Sequence, residues 1–555
     1  MNIFKVRYCS DRKGLTPLAK KRSFVQGTAI LAATVVLVKL IGAIYKIPLY
    51  NILDDKATTY YGIAYTVYSL LLTISTSGVP TAIARLISAA SSTGKQKQAQ
   101  RIFNIALPAF GIIGAVCGIL MMVFCRQIAA FMEVPGAYQS IFILGPAVFF
   151  CCIVSVYRGY SQGHEDMVPT SVSQIIEVLC KLAAGLPIAL LLLNAGRGAG
   201  FVSAGAIAGV TIGLGLAVPV LAYLRRRSIK NNTYEVLDTD PSVLSKRDTL
   251  KEIFRVSIPM TLSASLLSLL ALVDTKVIMY HLKNTLSLAE NVVEMQYSAY
   301  TRANTMFNLP SNILVSIAVA IVPAVAAAVA RRQYKESATL MSSSLKLMNL
   351  FALPAGVGLC VLSNPIYNVL YWDGNELGPQ LLAIMGIASY FVCFQVLSTS
   401  LVQASGYEKM SLISLPAGSI LKLIVNWVLV AIPAVGILGA PIGSLVCYAF
   451  ISLFNMAVLM KRVPEKPKLG AAFIKPLICT AIMGVCAWAV YGILTKVGGG
   501  FFVSGRLPML IAMVAAIGIA VIVYFIMIIV TGTLTKEDMK LVPKGDKIAS
   551  VLKLK

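Results

Sequence analysis

The chain has 555 residues, of which 57% are hydrophobic and only 13% charged. Soluble domains carry about 25% charged residues, so this composition excludes an ordinary soluble protein and points to a polytopic membrane protein. The formal net charge of +25 would invite nucleic acid in a soluble chain, but here the placement of the charge argues against it.

The basic first 23 residues precede an apolar run longer than a signal-peptide core, with no small-residue cleavage site, so this run is read as an uncleaved first span. At about 20 residues per crossing, fourteen helices are predicted. They lie at 24–47, 59–91, 100–124, 139–161, 168–193, 201–224 and 254–280, then 297–330, 340–363, 378–403, 410–434, 437–460, 472–495 and 508–531. The expected fold class is therefore an all-α polytopic membrane protein with 14 transmembrane helices. With connections assigned alternately to the two sides, and cations at the adjoining helix ends (Arg101, Arg158, Arg255 and Lys475) counted with them, one side holds 34 Lys and Arg and the other holds six (Lys56, Arg126, Arg197, Lys283, Lys496 and Arg506). This bias obeys the positive-inside rule along the whole chain and predicts that both termini are cytoplasmic. The basic charge is then expected to face anionic membrane lipids, with no nucleic-acid partner.

A repeat runs through the helices. AYT at Ala64–Thr66, VPTAIA at Val79–Ala84, ALPA at Ala106–Ala109 and QGHEDM at Gln162–Met167 recur in the same order as AYT at Ala299–Thr301, VPAVAA at Val322–Ala327, ALPA at Ala352–Ala355 and SGYEKM at Ser405–Met410. Any one match is weak; four in register predict two six-helix lobes in parallel repeat, which usually enclose a site near mid-membrane. The expected organisation is a basic N-terminus (1–23), an N-lobe (24–224), a polar linker (225–253), a C-lobe (254–461), helices 13 and 14 (462–531) and a basic tail (532–555). Gly205, Gly209 and Gly213, four apart, are expected to permit a close helix contact. Gly78 with Pro80, Pro108, Pro187, Pro310, Pro323 and Pro354 are expected to interrupt or kink their helices.

The charges inside the spans are the candidates for function. A charge near the centre of a membrane helix costs about 2.5–3.5 kcal/mol on an insertion scale. Yet Lys39, Lys46, Arg85, Lys181, Lys276, Arg302, Lys346 and Lys422 stand in predicted spans beside only Glu177 and Asp274. Lys39 and Lys46 are two helical turns apart and share a face. Lys46, Lys276 and Lys346 lie close enough to helix ends to snorkel, and Glu177 with Lys181 forms an i,i+4 pair. Lys39, Arg85 and Arg302 have no acid at i±3 or i±4. Unpaired cations at membrane depth face a cavity, and their excess favours an anionic cargo. Phosphate suits them, through the planar fork of arginine and the mobile point charge of lysine. Lys39, Lys46, Arg85 and Arg302 are therefore the candidate substrate-binding residues.

Asp274 and Asn426 fall at similar depth and offer oxygen ligands for Na⁺ or a site for H⁺; pairing of Asp274 with a nearby cation is the alternative. No Walker motif occurs, since STGKQ at Ser92–Gln96 lacks the earlier glycine and the following Ser or Thr, so no nucleotide is expected. The eleven cysteines lack CxxC spacing and only two histidines are present, so neither a metal site nor a further cofactor is expected. The DTD at Asp238–Asp240 lies in the polar linker and is read as solvated. No Ser/His/Asp set or large extramembrane domain supports catalysis, and the protein is not expected to be an enzyme.

The stretches GTAILAATVVLVKLIGAIYKIPLY, YGIAYTVYSLLLTISTSGVPTAIARLIS and YRGYSQGHEDMVPTSVSQIIE, together with NLPSNILVSIAVAIVPA and the tail KEDMKLVPKGDK, resemble the polysaccharide-biosynthesis branch of the multidrug/oligosaccharidyl-lipid/polysaccharide flippase superfamily. Within that branch the similarity is to the stage V sporulation protein B and MurJ-like group, and it covers nearly the whole chain. The resemblance implies two lobes of six helices plus two extra helices. It also implies alternating access of undecaprenyl-linked anionic glycolipid precursors of the cell wall across the cytoplasmic membrane. Basic cavity residues on helices 1, 2 and 8 of such proteins match Lys39, Lys46, Arg85 and Arg302 in place. The multidrug/cation antiporters of the same superfamily are the alternative; they call for carboxylates in the cavity, against the cationic excess seen here.

Overall fold

The computed structural model describes residues 17–76, 78–230, 244–371, 374–497 and 505–534. Most of the predicted N-terminal extension, the linker segment with Asp238–Asp240 and most of the basic tail lie outside these residues.

Among the described residues there are helices and no strand. The first half contains α1 (Pro17–Ile52), α2 (Asp55–Thr76), α3 (Val79–Ser92), α4 (Gln96–Val123), α5 (Cys125–Phe131), α6 (Tyr138–Gly163), α7 (Val168–Cys180), α8 (Leu186–Asn194) and α9 (Ala199–Lys230). The second contains α10 (Lys246–Tyr280), α11 (Glu290–Ala330), α12 (Tyr334–Val361), α13 (Ser363–Leu370), α14 (Leu377–Ala404), α15 (Glu408–Leu429) and α16 (Gly439–Arg462). Two further helices, α17 (Leu469–Val497) and α18 (Arg506–Val530), follow.

Thirteen helical stretches are long and apolar enough to cross a membrane. The expected eighth span, 297–330, lies within α11, whose first half carries the polar residues Ser298, Thr301, Arg302, Asn304, Thr305, Asn308, Ser311 and Asn312. Outward-facing Trp488 and Val530 are 69% and 74% exposed. An apolar exterior on helices of this length is that of a multi-pass membrane protein.

The sequence predicted one helix over 59–91. The rod divides into α2 and α3 around Gly78 and Pro80, because proline at the start of α3 supplies no backbone N–H to the preceding turn. The fifth rod widens into a π turn at Lys181–Gly185 ahead of Pro187, a common accommodation of a missing hydrogen bond. Two short helices, α5 and α13, were not expected. They occupy matching places, each directly after the third rod of its half.

Packing repeats between the halves as well. In the first half α4 packs on α6, α6 on α9 and α7 on α9; in the second α12 packs on α14, α14 on α16 and α15 on α16. The two third-to-fourth rod crossings both meet on glycine, Gly118 against Gly145 and Gly356 against Gly386. The expected stripe on α9 also serves close approach: Gly209 lies against Gly185 and Gly213 against the backbone of Glu177. Buried polar side chains tie helices where no water competes. Asn455 donates to Ser398 and Thr399 of α14 and accepts from Ser414 of α15.

The glycine crossing generates a stability test. A methyl group on Gly386 would sit 2.6 Å from the Cys360 nitrogen and 2.8 Å from the Gly356 carbonyl oxygen, both backbone atoms. Gly386→Ala should therefore destabilise the fold by about 1–3 kcal/mol, as overpacking does. Gly358→Ala, where a methyl group meets nothing within 4 Å, should leave stability unchanged. Thermal unfolding of the two purified variants checks this; equal melting temperatures would refute it.

Candidate functional site

The helices of the two halves enclose a cavity of about 470 Å³. Its wall takes Lys39 and Lys46 from α1, Tyr65 and Ser69 from α2, and Lys181 from the π turn. Facing them are Asp274 on α10, Asn304, Asn308 and Asn312 on α11, and Lys422 on α15. Four ammonium groups and one carboxylate thus border one space.

These charges are not equivalent. Lys181 lies 2.9 Å from Glu177, the i,i+4 pair expected from the sequence, and Arg158 approaches the other Glu177 oxygen at 3.7 Å. Lys422 lies 2.8 Å from one oxygen of Asp274, while the Asn426 amide donates to the other. Asp274 and Asn426 do come together, therefore, but a lysine already occupies the cation position beside them. Asn426 is held there by tight packing against Gly443, where a side chain would collide with its carbonyl oxygen. Lys181 and Lys422 are 241 residues apart, inside the range of about 235–246 that relates the sequence landmarks. Each half thus contributes one internally neutralised lysine from its fifth rod.

Lys39 and Lys46 differ. Neither has an ion pair among the described residues. Lys46 lies over the Tyr65 ring at 5.5 Å, a contact that attracts the cation without cancelling its charge, and Lys39 is exposed within the cavity. Two carboxylates balance two lysines, and these two remain.

The other candidates are placed elsewhere. Arg302 is 3% exposed and does not border the cavity. Its guanidinium donates to Asp55 at 2.8 Å and to the Tyr50 and Leu53 carbonyl oxygens at 3.2 and 3.4 Å. This clamps the α1–α2 turn onto α11, and the Ser298 hydroxyl completes it at 2.6 Å from Asp55. Arg302 was expected to meet cargo; the structure places it in this clamp, where the carbonyls ending α1 and the carboxylate opening α2 take its donors. Arg85 is exposed on α3 and is not part of the cavity wall. Lys276 stacks at 3.5 Å over the Phe131 ring.

The sequence reading missed the polar face of α11 and the tyrosines of the wall. Asn304, Asn308 and Asn312 recur every four residues, and Tyr61 and Tyr65 stand four apart with their rings stacked 5.9 Å apart. That spacing is a signal for a polar stripe on an otherwise apolar helix.

Architecture and site together define a two-lobed membrane protein of the fold shared by MurJ and the multidrug resistance MATE transporters. The solved lipid II flippase MurJ, in an inward closed conformation, superposes with a TM-score of 0.65 at 15% identity, over 90% of this chain and 97% of that one. An inward-facing multidrug resistance MATE family transporter of the MOP superfamily gives 0.63 at 18% identity, over 77% and 97%. The chain belongs to the polysaccharide biosynthesis protein family, which it matches over residues 24–329; residues 259–428 also match MatE. Among proteins of Bacillus subtilis (strain 168), the uncharacterized membrane protein YabM is 25% identical over 96% of this chain and 97% of its own. Lipid II flippase MurJ is 22% identical over 90% and 94%, and stage V sporulation protein B is 22% identical over 94% and 98%.

The Asp274–Lys422 pair gives a test of the site's electrostatics. Asp274→Ala strands an ammonium group, which costs about 3–5 kcal/mol in a buried setting. The lower end applies, since Lys422 borders the cavity. Adding Lys422→Met should recover most of that loss. Thermal unfolding in detergent measures both, and a single variant as stable as the double would show the pair to be electrostatically idle.

Proposed function

We propose that this protein is a flippase that carries an undecaprenyl-pyrophosphate-linked cell-wall precursor across the cytoplasmic membrane by alternating access. Lipid II is the preferred cargo, and a related polysaccharide or spore-cortex precursor is the nearest variant. The observation that carries the proposal is the pair of uncompensated lysines, Lys39 and Lys46, on one stripe of α1 facing a cavity between the halves. A diphosphate supplies the two negative charges that the wall lacks. The surrounding asparagines and tyrosines offer hydrogen bonds and ring faces suited to sugars. At about 470 Å³ the cavity suits the diphosphate and part of the glycan, while the polyprenyl chain remains in lipid.

The internal pairs fit the same cycle. With the cavity empty, Glu177 and Asp274 keep Lys181 and Lys422 from adding two further bare charges. An arriving diphosphate competes with these carboxylates for the lysines, so cargo exchanges for an internal counter-ion and can leave again. Names of relatives support the reading: MurJ is a lipid II flippase, and stage V sporulation protein B covers nearly the same length. The basic ends of the rods, at Lys95, Lys97, Arg331, Arg332 and Lys461, would face the cytoplasm together with both termini. Na⁺ or H⁺ coupling at Asp274 and Asn426 belongs to this proposal, and it requires that Lys422 first withdraw.

The MATE-like fold and the MatE match raise the second reading, a multidrug/cation antiporter. A cationic drug needs an available carboxylate in the cavity. Here Asp274 is occupied by Lys422 and Glu177 by Lys181, which favours an anionic cargo.

Each lost charge-assisted contact is worth about 1.5–3 kcal/mol, or about tenfold to a hundredfold in affinity. Lys39→Ala with Lys46→Ala should lower flipping of lipid II in proteoliposomes at least tenfold while membrane levels stay normal, and the Arg pair should retain activity. Undiminished flipping by the Ala pair would remove these residues from the cargo site. Expression in a bacterial strain depleted of its own lipid II flippase should restore growth. Failure there, with energised efflux of organic cations, would select the antiporter.

A further inference from the structure

A second recess lies away from the cargo cavity and shares no wall residue with it. This groove of about 890 Å³ runs between α4 of the first half and the start of α10, which follows the linker. On α4 it is bordered by Arg101, Ile105, Pro108 and Ile112. These recur at spacings of four, three and four, so they form one stripe along the helix. At 1.5 Å per residue the stripe is about 16 Å long, charged at its first end and apolar at its last. Lys246, Arg247 and Leu250 of α10 stand opposite. Among the described residues no acidic side chain lines the groove, and Arg101, Lys246 and Arg247 have no ion pair.

The two helices are already joined beside it. Gln98 of α4 donates to the Thr249 hydroxyl at 3.3 Å and accepts the Leu244 N–H at 3.0 Å. Ile112, at the apolar end, is 65% exposed, so the recess opens where lipid chains would lie. Cations at one end and an apolar track at the other match an anionic headgroup with an acyl chain. A soluble phosphate would use only the first, and a zwitterionic lipid would bring its own cation to the basic end.

We infer that this groove binds one anionic phospholipid. Its phosphate is held by Arg101, Lys246 and Arg247, and its acyl chain lies along Ile105, Pro108 and Ile112. The bound lipid bridges the two halves where α4 meets α10. It therefore favours the conformation in which these helices are adjacent, and the charge of the surrounding membrane biases the alternating-access equilibrium.

Native mass spectrometry of the purified full-length chain, offered phosphatidylglycerol and phosphatidylcholine with identical acyl chains, tests this. Phosphatidylglycerol should be retained at least tenfold over phosphatidylcholine. R101Q/K246Q/R247Q should lose that preference with its helical circular dichroism unchanged; if it fails to fold, Arg101→Gln alone should reduce the preference about threefold. K409Q/K461Q/K466Q, exposed cations elsewhere, and K39A/K46A in the cargo cavity should keep it. Equal retention of the two lipids, a preference that survives in the groove variants, or displacement of phosphatidylglycerol by inorganic phosphate alone would overturn the assignment.

Discussion

An ammonium or guanidinium group placed at membrane depth must find a counter-charge, an aromatic face or water, because lipid offers none of them. The placement of six of the cations in the spans follows from that constraint. Lys181 and Lys422 take carboxylates at 2.9 and 2.8 Å. Arg302 takes Asp55 and two helix-ending carbonyls. Lys276 takes the face of Phe131, while Lys39 and Lys46 turn to the cavity. A chain that only needed to fold could have replaced these two with leucine, and α1 would have been the more stable for it. Their position on one stripe is what the proposed anionic cargo rests on.

The duplication explains both the shape of the molecule and the position of its site. Equivalent rods cross on equivalent glycines, Gly118 on Gly145 and Gly356 on Gly386, so each half is a closely packed body in its own right. The halves are also tied by polar contacts. At one end the Arg302 clamp and the bond from Thr59 to the Glu294 carbonyl join them; toward the linker end, Ser268 meets Thr73 and Gln98 meets Thr249. Apolar packing joins the halves as well: α10 and α11 lie on α2, α1 lies on α11, and Gly78 of the first half meets the backbone of Ser257 and Thr261 on α10.

Local interactions were legible in the sequence and distant ones were not. The rods could be read because twenty apolar residues leave a signal within a short window, and the Glu177–Lys181 pair because its partners stand one turn apart. The break at Gly78 and Pro80 was visible as composition. The Arg302 ion pair was not legible because its partner Asp55 lies 247 residues away, in a turn that no helical spacing connects to α11. Lys422 escaped attention as the partner of Asp274 for the same reason, being 148 residues distant. The short helices α5 and α13, of 7 and 8 residues, fall below any periodicity test.

Fold likeness alone leaves the sign of the cargo open, since flippase and multidrug transporter superpose on this chain almost equally well, with TM-scores of 0.65 and 0.63. Two lobes and a central opening are compatible with either. What separates them is a count of charges on the wall after internal pairs are removed. A wall left with a carboxylate draws cations, and one left with ammonium groups draws phosphates. Here the remainder is two lysines on a single helical stripe, about 10 Å apart along the axis at 1.5 Å per residue. Mobile side chains on a four-carbon stem can converge over that distance on one diphosphate. In the proposed reading the discrimination resides in a few side chains on α1, α7, α10 and α15, which the rest of the scaffold brings to one space.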